Sequence, residues 1–362
     1  MDKNCSIQYE NNSTMGDDQL LVCVSAPLAV FGFVFYAFVF LLGVSGNVFV
    51  ILTIYKQSKL HTPFNYLVVN LAISDICVLF FSLPVVIFSE CFRWPLGEIG
   101  CLLLRPSFLV FTGVSVFTMM ALSFERYRAV IKPLAPKMTP KIGLRVTILI
   151  WLLACLIFGL PRSFVFGLTE EKGTLQCDPV VKNVILGAVT KVWRIFSTLI
   201  APSIVVCFAY IRIMCKLRRE LDAIGDAYAS RDMARSRVKR NAKTMRLLIT
   251  IIVTFVACFL PFNVVITLDD LFPAYEDWYY NETLESIFRM LQVGHSCLNP
   301  IILCLMSLEF RQALTKRFRK SFTRGRKVYD LPENQQTDKS TTSAIHLKPV
   351  CSKEEQDRII IM

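Results

Sequence analysis

The chain has 362 residues and a formal net charge of +12; 54% of it is hydrophobic, only 19% is charged, and 28 residues are Phe. A water-soluble fold cannot cover that much apolar surface, which excludes soluble enzymes and soluble binding modules. The basic excess lies between apolar windows and in the C-terminal tail, where anionic lipid of an inner leaflet explains it better than nucleic acid does.

Residues 1–27 come first, with Asp2, Glu10, Asp17 and Asp18 against a lone Lys3, and Asn-x-Ser/Thr glycosylation triplets at Asn4, Asn11 and Asn12. "MDKNCSIQYE" lacks the apolar core of a cleavable signal peptide, so the first membrane helix is expected to act as the targeting signal. Apolar windows long enough to span a bilayer, about 20 residues each, follow at 28–55, 64–89, 102–130, 143–167, 185–214, 245–270 and 285–307. They predict an all-α, seven-transmembrane helical bundle over 28–307. Barrel strands are instead about ten residues long and strictly alternating, a pattern absent from "FGFVFYAFVFLLGVSGNVFVILTIY".

Basic residues orient the bundle. Lys56 and Lys59 follow the first window, Lys132, Lys137 and Lys141 precede the fourth, and the 216–243 connector holds nine Lys and Arg. Loops rich in these residues stay in the cytoplasm, so the reading is a multi-pass plasma-membrane protein with its N-terminus outside. Asn281, a fourth acceptor triplet, also falls outside. The connector at about 215–244 alternates charge at helical spacing and is expected to extend the fifth and sixth helices inward. After the seventh window Phe310, Leu314, Phe318 and Phe322 recur every four residues among Arg311, Lys316, Arg317, Arg319 and Lys320. That pattern predicts a short amphipathic membrane-surface helix over 308–322. The remaining 323–362 are polar, without apolar period, and read as a disordered cytoplasmic tail.

Most of the thirteen Cys lie inside the windows and behave as small apolar residues. Cys101 and Cys177 fall outside, in an oxidising compartment, and can be bridged. Cys5, Cys23 and Cys91 are outside too, and the pairing of a second bridge among them cannot be read from sequence.

Ionisable groups inside hydrocarbon are costly and mark function. Asp75 is alone mid-span in "NLAISDICVLFF", with Asn47, Ser115, His295, Ser296 and Asn299 at similar depth. A carboxylate among hydroxyls and amides suits a small hard cation; a protonated, hydrogen-bonded structural network is the equal alternative. Glu125-Arg126-Tyr127 ends the third window, 25 residues beyond Cys101 or roughly 37 Å along an α-helix. Cys101 and Arg126 therefore mark opposite membrane faces. Pro84, Pro161, Pro202, Pro261 and Pro300 each interrupt a window, and each removes a helical hydrogen bond. At Asn299-Pro300 the Asn side chain is expected to take up the freed group.

Gly46-Asn47, "NLAISD" ending at Asp75, Trp94, the Cys101 and Cys177 pair, Glu125-Arg126-Tyr127, Trp151, Pro202 with Tyr210, Phe255 with Cys258-Phe259-Leu260-Pro261, and Asn299-Pro300 followed by Phe310 together resemble the rhodopsin-like family of G-protein-coupled receptors. The resemblance covers 28–322 and implies a mechanism. An extracellular ligand rearranges the bundle, the sixth helix swings about Pro261, and a heterotrimeric G protein docks at a cytoplasmic cavity lined by Arg126, with Leu134 inserting into it. The resemblance also implies sodium, as an allosteric ion, at Asp75, Ser115 and Asn299; no other cofactor is required. Two positions depart: Phe259 stands where the family has Trp, and Leu303 where it has Tyr. With Asn241 and Met245 at the inner end of the sixth helix, an acid that locks Arg126 is expected to be absent. In the tail, Thr337, Ser340, Thr341, Thr342 and Ser343 predict phosphorylation and arrestin recruitment.

Phe108 stands where amine receptors of that family have Asp, and Val293 where opsins have their retinal Lys. Neither ligand class fits. Arg105, Arg162, Lys191, Arg194 and Arg289 remain in the outer half, beneath an acidic stretch over 269–285. A peptide with basic side chains and a deep acidic group satisfies both layers. Arg105, Phe108, Lys191, Arg194, Phe259 and Arg289 are the candidate ligand contacts, with local pairing of Glu285 to Arg289 as the bland alternative. The competing readings are a receptor for a small anion (fatty acid, carboxylate metabolite or nucleotide) and a non-signalling scavenger or scaffold. No inverted repeat marks a transporter, and the scattered His61, His295 and His346 pair with no nucleophile, so no enzyme is expected.

Overall fold

The computed structural model describes residues 26–91, 94–132, 139–171, 174–180, 184–224, 231–271 and 282–316. Six helices are long and apolar enough to cross a membrane: Val30–Lys56, Pro63–Phe88, Gly97–Ile131, Lys141–Ser163, Val192–Glu220 and Val238–Val265. The seventh span is Leu284–Met306, after which the chain turns by 94° into Leu308–Lys316. In that last helix Phe310 and Ala313 are buried while Arg311 and Gln312 are exposed, which is the amphipathic arrangement the spacing predicts. Asn4, Asn11, Asn12, Cys5, Cys23, Leu134, Asn281, the remainder of 308–322 and the phosphorylation candidates lie outside the described residues. Of Cys91 only the helical backbone is described.

Spans pack with their polar faces inward. The third lies against the second, fourth, fifth and sixth and buries Ser107, Thr112, Ser115, Thr118 and Ser123. Leu144, Ile148, Leu152 and Leu156 of the fourth face outward at a spacing of four. Water would reverse this pattern, whereas hydrocarbon requires polar groups to find partners inside. One such chain ties three spans: Trp151 Nε1 donates to Asn70 Oδ1 at 2.9 Å, and Asn70 Nδ2 donates to Thr118 Oγ1 at 2.7 Å.

The prolines act in two ways. Five-residue π-helical turns, Val78–Ser82, Cys155–Gly159 and Phe196–Ile200, each end two residues before Pro84, Pro161 and Pro202. A proline ring collides with the carbonyl four residues back, and the wider turn moves that carbonyl aside. Trp193 Nε1 donates to the carbonyl of Ile157, four residues before Pro161, at 3.2 Å. Pro261 and Pro300 instead sit inside continuous α-helix. Here the expectation for Asn299 is corrected: its amide donates to Asp75 Oδ2 at 2.8 Å. The carbonyl that Pro300 frees, on Ser296, accepts from Asn47 Nδ2 at 2.9 Å. Asn47 reaches it because Gly46 lets the Pro300 ring close in; a Cβ there meets Pro300 Cγ at 2.8 Å.

The fourth span ends at Ser163, short of the expected 167, because the chain turns there into a hairpin that hydropathy did not reveal. Strands β1 (Phe166–Glu171) and β2 (Thr174–Pro179) pair antiparallel with Leu168 opposite Cys177. Cys177 is bonded to Cys101, with Cα atoms 5.6 Å apart. Val85, Trp94 and Phe166 pack around the bridge, and Trp94 N–H donates to Leu175 O at 3.0 Å. Thus the hairpin is held by a covalent bond, an apolar cluster and a backbone bond. The charged connector is helical on both sides, to Ile224 and from Arg231, as its charge spacing predicts.

Candidate functional site

Between the hairpin and the spans lies a cavity of about 230 Å³, lined by Arg105, Arg162, Arg194 and Arg289 among other residues. Each guanidinium comes from a different span. Arg105 and Arg162 both lie over the ring of Phe166, at 5.5 and 4.9 Å from its centre, a stacking that favours Arg over Lys. Arg289 is ion-paired with Glu285, one helical turn earlier, and sits over Phe262 at 5.2 Å. The local pairing weighed as the bland alternative is therefore present, and Arg289 lines the cavity as well. Lys191 is in the helix Val184–Ile195, but its side chain lies outside the described residues, as do those of 269–283 in the acidic stretch.

The cavity floor is aromatic. Phe108 stacks with Phe259 at 6.3 Å, Phe259 with Phe255 at 4.2 Å, and His295 meets Phe259 edge-on at 4.8 Å. Such contacts add about 0.5–1.5 kcal/mol each beyond burial. Phe259 thus links the cavity to His295, whose Nε2 lies 3.8 Å from Asp75 Oδ1. Around Asp75 the structure brings Asn299 into hydrogen-bond contact. Ser115 Oγ contacts Ser74 Oγ at 2.9 Å and donates to Phe111 O at 3.2 Å. Asp75 Oδ1 and Ser296 Oγ are buried with no hydrogen-bond partner among the described residues. In hydrocarbon, orphaned oxygens cost several kcal/mol each, about 2–7 by transfer measures.

At the opposite end Arg126 Nε is 2.7 Å from Glu125 Oε2, and its guanidinium covers the Phe64 ring at 4.3 Å. Its neighbours are Tyr127, which packs against the inner core, and Phe124, which stacks on Tyr127 at 6.4 Å. Met245 and Leu303 are buried in the same inner core as Tyr210. The Tyr210 hydroxyl faces Ser123 without a hydrogen bond of good geometry.

Residues 46–303 match the model of the 7 transmembrane receptor (rhodopsin family). That match covers more than half of the chain. The chain belongs to the rhodopsin family of seven-transmembrane receptors. It is therefore a multi-pass membrane protein of a receptor family, not an enzyme. It is 29% identical to the RYamide receptor of Drosophila melanogaster over 305 residues, covering 81% of this chain and 64% of that one. The Neuromedin-U receptor 2 of Rattus norvegicus is 28% identical over 302 residues, 77% of this chain and 72% of its own length. The Tachykinin-like peptides receptor 99D of Drosophila melanogaster is 28% identical over 289 residues, 76% and 54%. The chain spans about two thirds of the length of the first of these relatives.

In this rhodopsin-family chain the sequence reading located Phe108, Phe259 and three of the arginines that the fold brings together. Arg162 was read only as a basic residue of the outer half, and Phe166 was missed altogether. A signal for both was present, since "PRSFVF" places an Arg and an aromatic run directly after a helix-ending segment. Phe166 meets Arg105 in a hairpin that the Cys101–Cys177 disulfide ties to the third span. Pro261 lies two residues from Phe259, and Asn263 Nδ2 donates to Phe259 O at 2.8 Å, so the floor residue is fixed at both its ring and its carbonyl.

Proposed function

We propose that this chain is a plasma-membrane receptor, N-terminus outside, which binds an extracellular peptide at the arginine-lined cavity and activates a heterotrimeric G protein. The observation that carries it is the cavity itself, closed by the hairpin above and floored by Phe108 and Phe259. The similarity to the Tachykinin-like peptides receptor 99D of Drosophila melanogaster supports the ligand class. A ligand that shifts Phe259 disturbs its stacks with Phe255 and His295, and the sixth span, pivoting about Pro261, carries that displacement inward past Phe255. At the inner end Glu125 holds Arg126 through a charge-assisted contact, and releasing it presents the guanidinium to the G protein. Phosphorylation of the tail then recruits arrestin.

Sodium fits the centre of the bundle, because Asp75 Oδ1 and Ser296 Oγ are orphaned oxygens of the hard type such an ion prefers. Asp75, Ser115 and Asn299 would hold it; the ion supplies a positive charge that stabilises the resting packing. The test of the main reading is a library of synthetic peptides applied to cells expressing the full chain, read by G-protein activation. Activation by at least one peptide, lost in Phe259→Ala at equal surface expression, is expected. Activation by small organic anions with none by any peptide overturns the reading in favour of the small-anion receptor, and no nucleotide exchange with any bound compound favours the scavenger.

A further inference from the structure

The volume of the cavity, about 230 Å³, is below the roughly 300–1,000 Å³ of pockets that bury a whole drug-sized ligand. It accommodates one end of a longer molecule. Four guanidiniums line it, and one of them, Arg289, is ion-paired with Glu285. Phe166 holds Arg105 and Arg162 side by side from two spans, and Arg194 enters from a third. Apolar surface is supplied by Phe108 and Phe259. We propose that the inserted end of the ligand carries a carboxylate, held by Arg105, Arg162 and Arg194, beside an apolar side chain seated on Phe108 and Phe259. An Arg fork binds two carboxylate oxygens at once, which a Lys cannot do. The carboxylate comes from the C-terminus of a peptide or from an acidic side chain near its end. The inference rests on the reading of this cavity as the ligand site.

The experiment uses the purified full chain in lipid nanodiscs and three probes: N-acetylphenylalanine, its amide, and the α-amide of N-acetylglutamate. A rise in unfolding temperature of a few degrees with one of the two acids, and none with the phenylalanine amide, is the expected result. A response to N-acetylphenylalanine assigns the C-terminal source, and a response to the glutamate probe assigns the side-chain source. Arg194→Gln should weaken the responding acid at least tenfold and Arg194→Lys by less. Equal shifts with acid and amide, or no shift up to the solubility limit of the acids, overturn the proposal; this comparison is made on the parent chain and does not depend on any variant folding. Peptides that activate the receptor although they are amidated and lack Asp and Glu overturn the carboxylate and leave the peptide reading standing. Conversely, acid probes that bind where no library peptide activates sustain the carboxylate site and sink the peptide reading.

Discussion

The side-chain amide of Asn47 donates to the carbonyl of Ser296 at 2.9 Å, and that carbonyl is the one Pro300 leaves without its helical donor. First and seventh spans are thereby joined at the point where the seventh lacks one helical hydrogen bond, and the same amide also reaches Gly43 O at 2.9 Å.

Replacing Asn47 by Leu strands the Ser296 carbonyl in a dry interior. A loss of about 1–3 kcal/mol is expected, visible as a lower unfolding temperature of the purified protein. Ser45→Ala is the control, because its hydroxyl bonds only its own helix at an exposed position. Equal stability of Asn47→Leu and Ser45→Ala would mean that the carbonyl is satisfied otherwise.

Cys101 and Cys177 are 76 residues apart, and closing a loop of that length restricts the unfolded chain by about 4–5 kcal/mol in the chain-entropy estimate. Cys101→Ser with Cys177→Ser should abolish most surface expression at 37 °C. Mass spectrometry of unreduced peptides from the parent should recover the two cysteines linked; recovering both as free thiols contradicts the structure.

The Asp75 network predicts an ion dependence. Raising sodium at constant ionic strength should lower basal nucleotide exchange on purified G protein in the parent chain. Asp75→Asn removes the charge that a cation needs and should flatten the response. An unchanged sodium response in that variant places the ion elsewhere.

Leu303 is buried in the same inner core as Tyr210, and its apolar side chain offers no hydroxyl to the Tyr210 phenol in the active state. Such a hydrogen bond contributes about 0.5–1.5 kcal/mol net, up to roughly tenfold in a two-state equilibrium. Leu303→Tyr should raise basal G-protein activation, and adding Tyr210→Phe should return it toward the parent level. Overpacking a buried site costs about 1–3 kcal/mol, so the comparison is made at matched surface expression. A flat or falling basal signal at normal expression identifies Leu303 as a packing residue.

The number of spans, the surface helix after the seventh, and the landmarks at Asp75, Arg126 and Pro300 were all legible in the sequence. They depend on hydropathy and spacing within about 20 residues, and such local patterns survive any rearrangement of neighbours. The hairpin Phe166–Pro179 was not legible, because an apolar run after the fourth span has the same hydropathy whether it continues a helix or enters a strand. Nor was the choice between Asn47 and Asn299 as the donor to Ser296, which compete at the same depth. Partners such as Asn47 with Ser296, and Asn299 with Asp75, are 249 and 224 residues apart. Only the rotation and docking of whole helices decides them. The same holds for the arginines: the sequence placed them in the outer half, and the tertiary structure turned four guanidiniums from four spans into one cavity, because a disulfide and a single aromatic ring, Phe166, fixed where two of them point.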